Sequence, residues 1–133
     1  KLAKDQDDLE TLLRPLVDAG VDVIHASNRR FWEPEFEGSN LNLAGWTKKI
    51  TGLPTITVGS VGLESDFIGF YQGEDEVKSA PIDDLVKRMD DKEFDMVAVG
   101  RALLSDPEWV NKVKEGRYDE VIPFSKKHAE NYY

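Results

Sequence analysis

"TITVGSVGLESDF", residues 55–67, decides how the chain folds. A β-branched apolar run reaches Val58 and then stops at Gly59 and Ser60. Further along, "DMVAVGRALLSDP", residues 95–107, repeats the device: apolar to Val99, then Gly100 and Arg101. Both stretches read as short strands that end in a glycine beside a polar or cationic residue.

Working outward, helices and strands alternate. "DQDDLETLLRPLVDAG" reads as a helix that Asp7 or Asp8 can cap, with Leu9, Leu12, Leu13 and Leu16 on one face and Gly20 at its end. Pro15 lies inside it, so a kink or break is expected there. "VDVIHAS" is a strand, "LNLAGWTKKITG" a short helix ending at Gly52, and "PTITVGS" the second strand. Residues 61–80 make a long connection expected to hold a short helical turn. From Pro81, "PIDDLVKRMDDKEF" reads as a helix with Leu85 and Met89 inward, followed by the third strand, 95–99. "RALL" suggests a helical turn, and Ser105 or Asp106 can cap a last helix that starts at Pro107 and stops at Gly116. Such alternation implies parallel strands joined by right-handed crossovers. None of the three strands alternates cleanly with polar residues, so both sheet faces are expected to be covered. Three strands leave two edges open, which points to a small open α/β domain or to part of a larger barrel.

The composition narrows the function. The 133 residues suffice for one domain, and 40% hydrophobic with 32% charged residues is a soluble balance. A net charge of -9 argues against nucleic acid, whose phosphates need clustered Lys and Arg. It does not argue against one phosphate, which answers to local groups. No cysteine is present, so thiol chemistry and disulfides are excluded. No apolar run approaches the ~20 residues of a membrane span, so no membrane contact is expected. The chain opens on Lys1 in a charged segment, which suggests a fragment.

Ligands of parallel α/β folds sit outside the carboxyl ends of the strands, where both glycine motifs lie. Glycine lets backbone approach a ligand and frees N–H groups to point at it. Ser60 adds a hydroxyl, Arg101 a planar cationic fork, and a short helix from Ala102 a positive end. In eight-stranded barrels, the ends of strands seven and eight form the recurrent phosphate site. Gly59, Ser60, Gly100 and Arg101 are therefore expected to cradle one phosphate. The plainer alternative is ordinary turn chemistry with Arg101 in a surface ion pair.

"FWEPEFEGSNLNLAGWTKK", "PTITVGSVGLESDF" and "FDMVAVGRALLSDPEWVNKVKEGRYDE" resemble the C-terminal part of the Old Yellow Enzyme family of NADH:flavin oxidoreductases. The resemblance covers nearly the whole chain. It implies α/β (β/α) units from the C-terminal part of a TIM barrel, about strands six to eight. It also implies FMN as cofactor, NAD(P)H as reductant and an electron-poor alkene, typically an α,β-unsaturated carbonyl, as substrate. The FMN phosphate would be held by Gly59, Ser60, Gly100 and Arg101, with Asn in some relatives where Ser60 stands. The family's catalytic groups lie on earlier strands, so none is expected in this chain, and the chain alone is expected to be inactive. A cytoplasmic location, and partners in the form of N-terminal barrel strands or self-association through open edges, go with this reading. A non-redox barrel isomerase or aldolase, holding a phosphorylated metabolite at the same loops, is the alternative.

The remaining candidates carry less. His25 and His128 are far apart in sequence and make no metal site; His25 is expected to be packed or partly buried. In "RRFWEPEF", Arg29, Arg30, Phe31 and Trp32 either pin a loop by aromatic packing or wall a flavin and substrate pocket at the barrel mouth. By the resemblance, Phe124 falls near the substrate. Asp83, Asp84, Asp90 and Asp91 read as a solvated helix face, and no Ser-His-Asp or Cys-His arrangement can be built.

Overall fold

The computed structural model describes residues 1–64 and 76–130. In chain order its elements are α1 (Gln6–Asp18), β1 (Ile24–Ser27), α2 (Leu43–Thr51), β2 (Thr55–Val58), β3 (Glu76–Val77), α3 (Asp83–Asp90) and β4 (Met96–Val97). There follow α4 (Arg101–Ser105), α5 (Trp109–Lys114), a 3₁₀ turn (Tyr118–Glu120), β5 (Phe124–Ser125) and α6 (Lys126–Glu130). The chain divides into two compact units: Lys1–Gly59 with Asp84–Ala98, and 60–83 with 99–133.

The first unit is built on a three-stranded parallel sheet in the order β1-β2-β4. Ile24 pairs with Thr55 and Ser27 with Val58; Ile56 and Thr57 pair with Met96 and Val97. The third strand is thus shorter than 95–99, although the Asp95 and Ala98 amides still donate to the Thr55 and Thr57 carbonyls at 2.9 and 2.8 Å. α2 lies against β1 and β2. The Ala26, Thr55 and Thr57 face is buried. The opposite face stays open: Val23 is 42% and Met96 40% exposed, and His25 is exposed beside them. This corrects the expectation of two covered faces and a packed His25. Side chains alternate along a strand, so burying Ala26 on α2's side turns His25 the other way.

α1 is capped by Asp5, not by Asp7 or Asp8: Asp5 Oδ1 accepts from the Asp8 amide at 2.9 Å. Asp8 in turn accepts from the amide of Lys4, the residue before the cap, at 3.1 Å. The helix runs through Pro15 without a break. The carbonyl that Pro15 leaves without a donor belongs to Thr11, which is exposed, so water can take the place of the lost bond. Leu9 and Leu13 are buried, whereas Leu12 and Leu16 are exposed, so the apolar face is narrower than the four leucines suggest. α2 ends at Gly52 as expected, with φ 70° and its amide on the Lys48 carbonyl at 2.8 Å. In α3, Leu85 is buried and Met89 half-buried, while Asp83, Asp84, Asp90 and Asp91 are exposed.

In the second unit the described ends of the 61–80 connection pair antiparallel: Leu63 bridges Ser79, and the Glu64 amide donates to the Lys78 carbonyl at 3.0 Å. The helical turn expected inside this connection falls largely on residues outside those described. β3 pairs antiparallel with β5, Val77 opposite Phe124, a pairing the sequence did not announce. The helix expected from Pro107 begins at Trp109, whose amide donates to the Asp106 carbonyl at 3.0 Å, and Gly116 follows it with φ 72°. Asp106 anchors this corner and is 1% exposed. Its carboxylate accepts from the Glu108 and Ile122 amides at 3.1 and 3.0 Å and from Lys112 Nζ at 2.7 Å. Gly62, at φ 70°, is pressed against Trp109; a Cβ there would lie 2.8 Å from the indole. Among the described residues no helix is long and apolar enough to cross a membrane.

Candidate functional site

The two strand-end glycines have different surroundings. Gly59 has φ 139°, and a Cβ on it would lie 2.6 Å from the Asn28 carbonyl oxygen. Its own carbonyl accepts from the Phe31 amide at 3.1 Å, while Asn28 donates to the Val58 carbonyl at 3.2 Å. Glycine is thus required at Gly59 by the backbone leaving β1, whatever else occupies the strand end. Gly100 has φ -105° and ψ -94°, and a Cβ on it would meet nothing within 4 Å. Among the described residues no steric demand fixes that glycine.

Ser60, Arg101 and Phe124 come together in the second unit. Arg101 Nη2 donates to Ser60 Oγ at 3.3 Å, and the guanidinium lies over the Phe124 ring at 5.8 Å. Ser60 holds φ 51°, a left-handed conformation unusual for a residue with a Cβ. Gly100 precedes Arg101 directly, and its carbonyl accepts from Leu103 at 2.9 Å as α4 begins. The group offers a hydroxyl and a guanidinium beside a backbone position open to a neighbour. That is donor chemistry suited to an oxyanion.

Phe31 and Trp32 lie in the first unit. Phe31 is buried at the edge of Trp32, ring centroids 5.0 Å apart and planes at 88°. Trp32 is half-exposed. Holding this loop is a polar network that sequence reasoning missed. Asn42, wholly buried, caps α2 by accepting from the Gly45 amide at 2.9 Å. It also donates to the Phe31 carbonyl at 2.7 Å and to Thr57 Oγ1 at 3.2 Å. Asn28 donates to the same Thr57 Oγ1 at 3.1 Å and accepts from the Leu43 amide at 3.2 Å. One threonine hydroxyl therefore ties the end of β1 to the start of α2. The signal available was an Asn directly before the apolar "LAGW" run, which is N-cap chemistry.

His128 sits near Ser125. Its Nδ1 accepts from the Ser125 amide at 3.1 Å and lies 3.1 Å from Ser125 Oγ, a cap at the start of α6. Among the described residues no cluster of three or more His, Asp or Glu side chains could hold a metal ion.

Burial would push the Asp106 carboxyl up, but the hydrogen bonds from Lys112 and from the Ile122 and Glu108 amides outweigh it and hold the group below the usual carboxylate range. The Lys48 ammonium, 2.7 Å away, lowers Asp95 in the same direction.

No family model matches the chain. The chain is similar to an NADH oxidase. That protein, from Thermoanaerobacter brockii, is 35% identical over 118 residues, 83% of this chain. The chain spans only 15% of its length.

Proposed function

We propose that the chain is part of a flavin-dependent NAD(P)H oxidoreductase of the Old Yellow Enzyme type, built on a TIM barrel. Its second unit would hold the FMN phosphate through Ser60, Arg101 and the backbone at Gly100. The observation that carries this is the Arg101–Ser60 pair at 3.3 Å beside a glycine whose outer side is unfilled. The likeness to an NADH oxidase supports the redox reading over a non-redox barrel enzyme. The parallel order β1-β2-β4 is compatible with consecutive strands of a barrel.

FMN, when bound, would take hydride from NAD(P)H and deliver it to an electron-poor alkene such as an α,β-unsaturated carbonyl. The residues of this chain do no bond-making in that scheme. Arg101 would offer its planar fork to the phosphate, Ser60 Oγ–H would offer a further donor, and the Gly100 position would leave room for the ligand to approach. Phe124, under the guanidinium, limits where that fork can swing. Phe31 and Trp32 would contribute packing near the substrate. Strands β1 and β4 stand at the sheet edges, where further barrel strands or a second copy would add.

The test is flavin affinity in the intact protein. A hydrogen bond to a charged group is worth about 1.5–3 kcal/mol, so Arg101→Ala should weaken FMN binding about tenfold to a hundredfold. Arg101→Lys should recover only part, because the planar fork is lost. A protein that purifies colourless and gains no flavin absorbance on adding FMN, or one whose FMN affinity is unchanged in Arg101→Ala, would reject the assignment.

A further inference from the structure

A cavity of about 340 Å³ lies in the second unit, and every residue lining it belongs to that unit. Its walls come from separate segments: Ser79 ahead of α3, Trp109 and Val113 of α5, and Tyr118, Asp119 and Val121 of the 3₁₀ turn and its exit. Its size is that of a small-molecule site, and so is its make-up, an apolar lining with a few polar groups.

The apolar part has a fixed wall. Trp109 is 5% exposed, and Gly62 fits against its indole so closely that a Cβ there would lie 2.8 Å away. Tyr118, on the same cavity, is left largely uncovered. Two such rings suit a flat aromatic ligand, and their faces attract a cation.

The polar part is unanswered in two places. Ser79 Oγ is buried and has no hydrogen-bond partner. A polar atom left so is costly, and a ligand group that bonds to it recovers the loss. Asp119 is the one charged side chain of the lining, and it is exposed. Arg117, two residues before it, is taken by Glu115 and Glu120, and Lys112 by Asp106, so neither cation is left to pair with it. A carboxylate beside two aromatic rings selects an ammonium over a neutral or anionic group.

We propose that this cavity binds an arylalkylamine with a hydroxyl on its ring. The ring packs against Trp109, Val113 and Val121, the ammonium meets Asp119 and Tyr118, and the hydroxyl bonds to Ser79 Oγ. The site shares no residue with the Ser60–Arg101 pair and does not rest on the oxidoreductase reading.

Isothermal titration calorimetry of the intact protein tests it with three probes: tyramine, tyrosol, in which a hydroxyl replaces the ammonium, and 2-phenylethylamine, which lacks the ring hydroxyl. Tyramine should bind saturably, about fivefold tighter than tyrosol or more. It should also bind about threefold tighter than 2-phenylethylamine or more. Asp119→Asn, a change on an exposed side chain, should erase the first difference and keep the second. Ser79→Ala, which removes only the unanswered hydroxyl, should erase the second and keep the first. Far-UV spectra of both variants should match that of the unaltered protein. No saturable tyramine binding, tyramine no tighter than either analogue, or a difference that survives its own variant overturns the proposal.

Discussion

Gly59 and Gly100 occupy equivalent places in the sequence, each closing an apolar run, yet the structure treats them differently. The first is held in a conformation side chains rarely adopt, with a carbonyl 2.6 Å from where a Cβ would sit. The second has negative φ and empty space around it. A glycine after a strand is therefore ambiguous by itself. Gly59 answers to the chain's own packing, whereas among the described residues no contact opposes a side chain at Gly100.

That contrast can be broken by substitution. Gly59→Ala forces a Cβ into backbone at positive φ, and strain plus overpacking should destabilise the first unit by about 3–5 kcal/mol. Chemical denaturation measures it; a loss no larger than that of Gly100→Ala would erase the distinction. Next comes the network that brings the β1 loop against Gly59. Asn42→Ala removes a helix cap and leaves the buried Phe31 carbonyl without that donor, so a loss of about 2–4 kcal/mol is expected. A loss under about 1 kcal/mol would mean that the buried amide is dispensable.

Asp106 gives the second unit its own mark. A carboxyl held below its unfolded value stabilises the fold fully above about pH 4, and that stability is lost as pH falls through the folded value. Asp106→Asn should cost about 2–3 kcal/mol at pH 7 and flatten the acid limb of the stability curve. An acid limb identical to that of the unaltered protein would place the acid sensitivity elsewhere, with Asp95 the next candidate. The smallest effect belongs to Gly100→Ala, within about 1 kcal/mol in stability because nothing opposes the new methyl. If that methyl weakens FMN binding while stability holds, the empty space is ligand space; if both are unchanged, the comparison loses its functional half.

The parallel sheet was legible because "VDVIHAS", "PTITVGS" and "DMVAVG" are β-branched runs bounded by glycine and separated by helical stretches. α2 was legible from its apolar spacing and Gly52. The β3–β5 pairing was not, since two-residue strands carry no period to detect. The side of β1 on which His25 falls was equally hidden, because alternation says that two faces exist and not which of them a helix covers. At the candidate site, Ser60 and Arg101 were named together from the two strand ends, whereas Phe124 was named apart from them, by the resemblance and as a residue near the substrate. The asparagine network was missed because Asn28 read as loop polarity and Asn42 as part of the helix, and only their hydrogen bonds turn them into a joint.

Ser60 carries a consequence of its own. A side chain held at φ 51° is disfavoured by about 1–2 kcal/mol relative to ordinary backbone, a penalty glycine does not meet. Under random substitution such a position drifts toward Gly, or toward Asn, which tolerates the same conformation and keeps a polar oxygen and nitrogen. The serine sits there against the backbone's preference, with its hydroxyl accepting from Arg101. Ser60→Gly should then yield a sturdier protein with a less constrained guanidinium. At this position a side-chain contact stands against the ease of the turn.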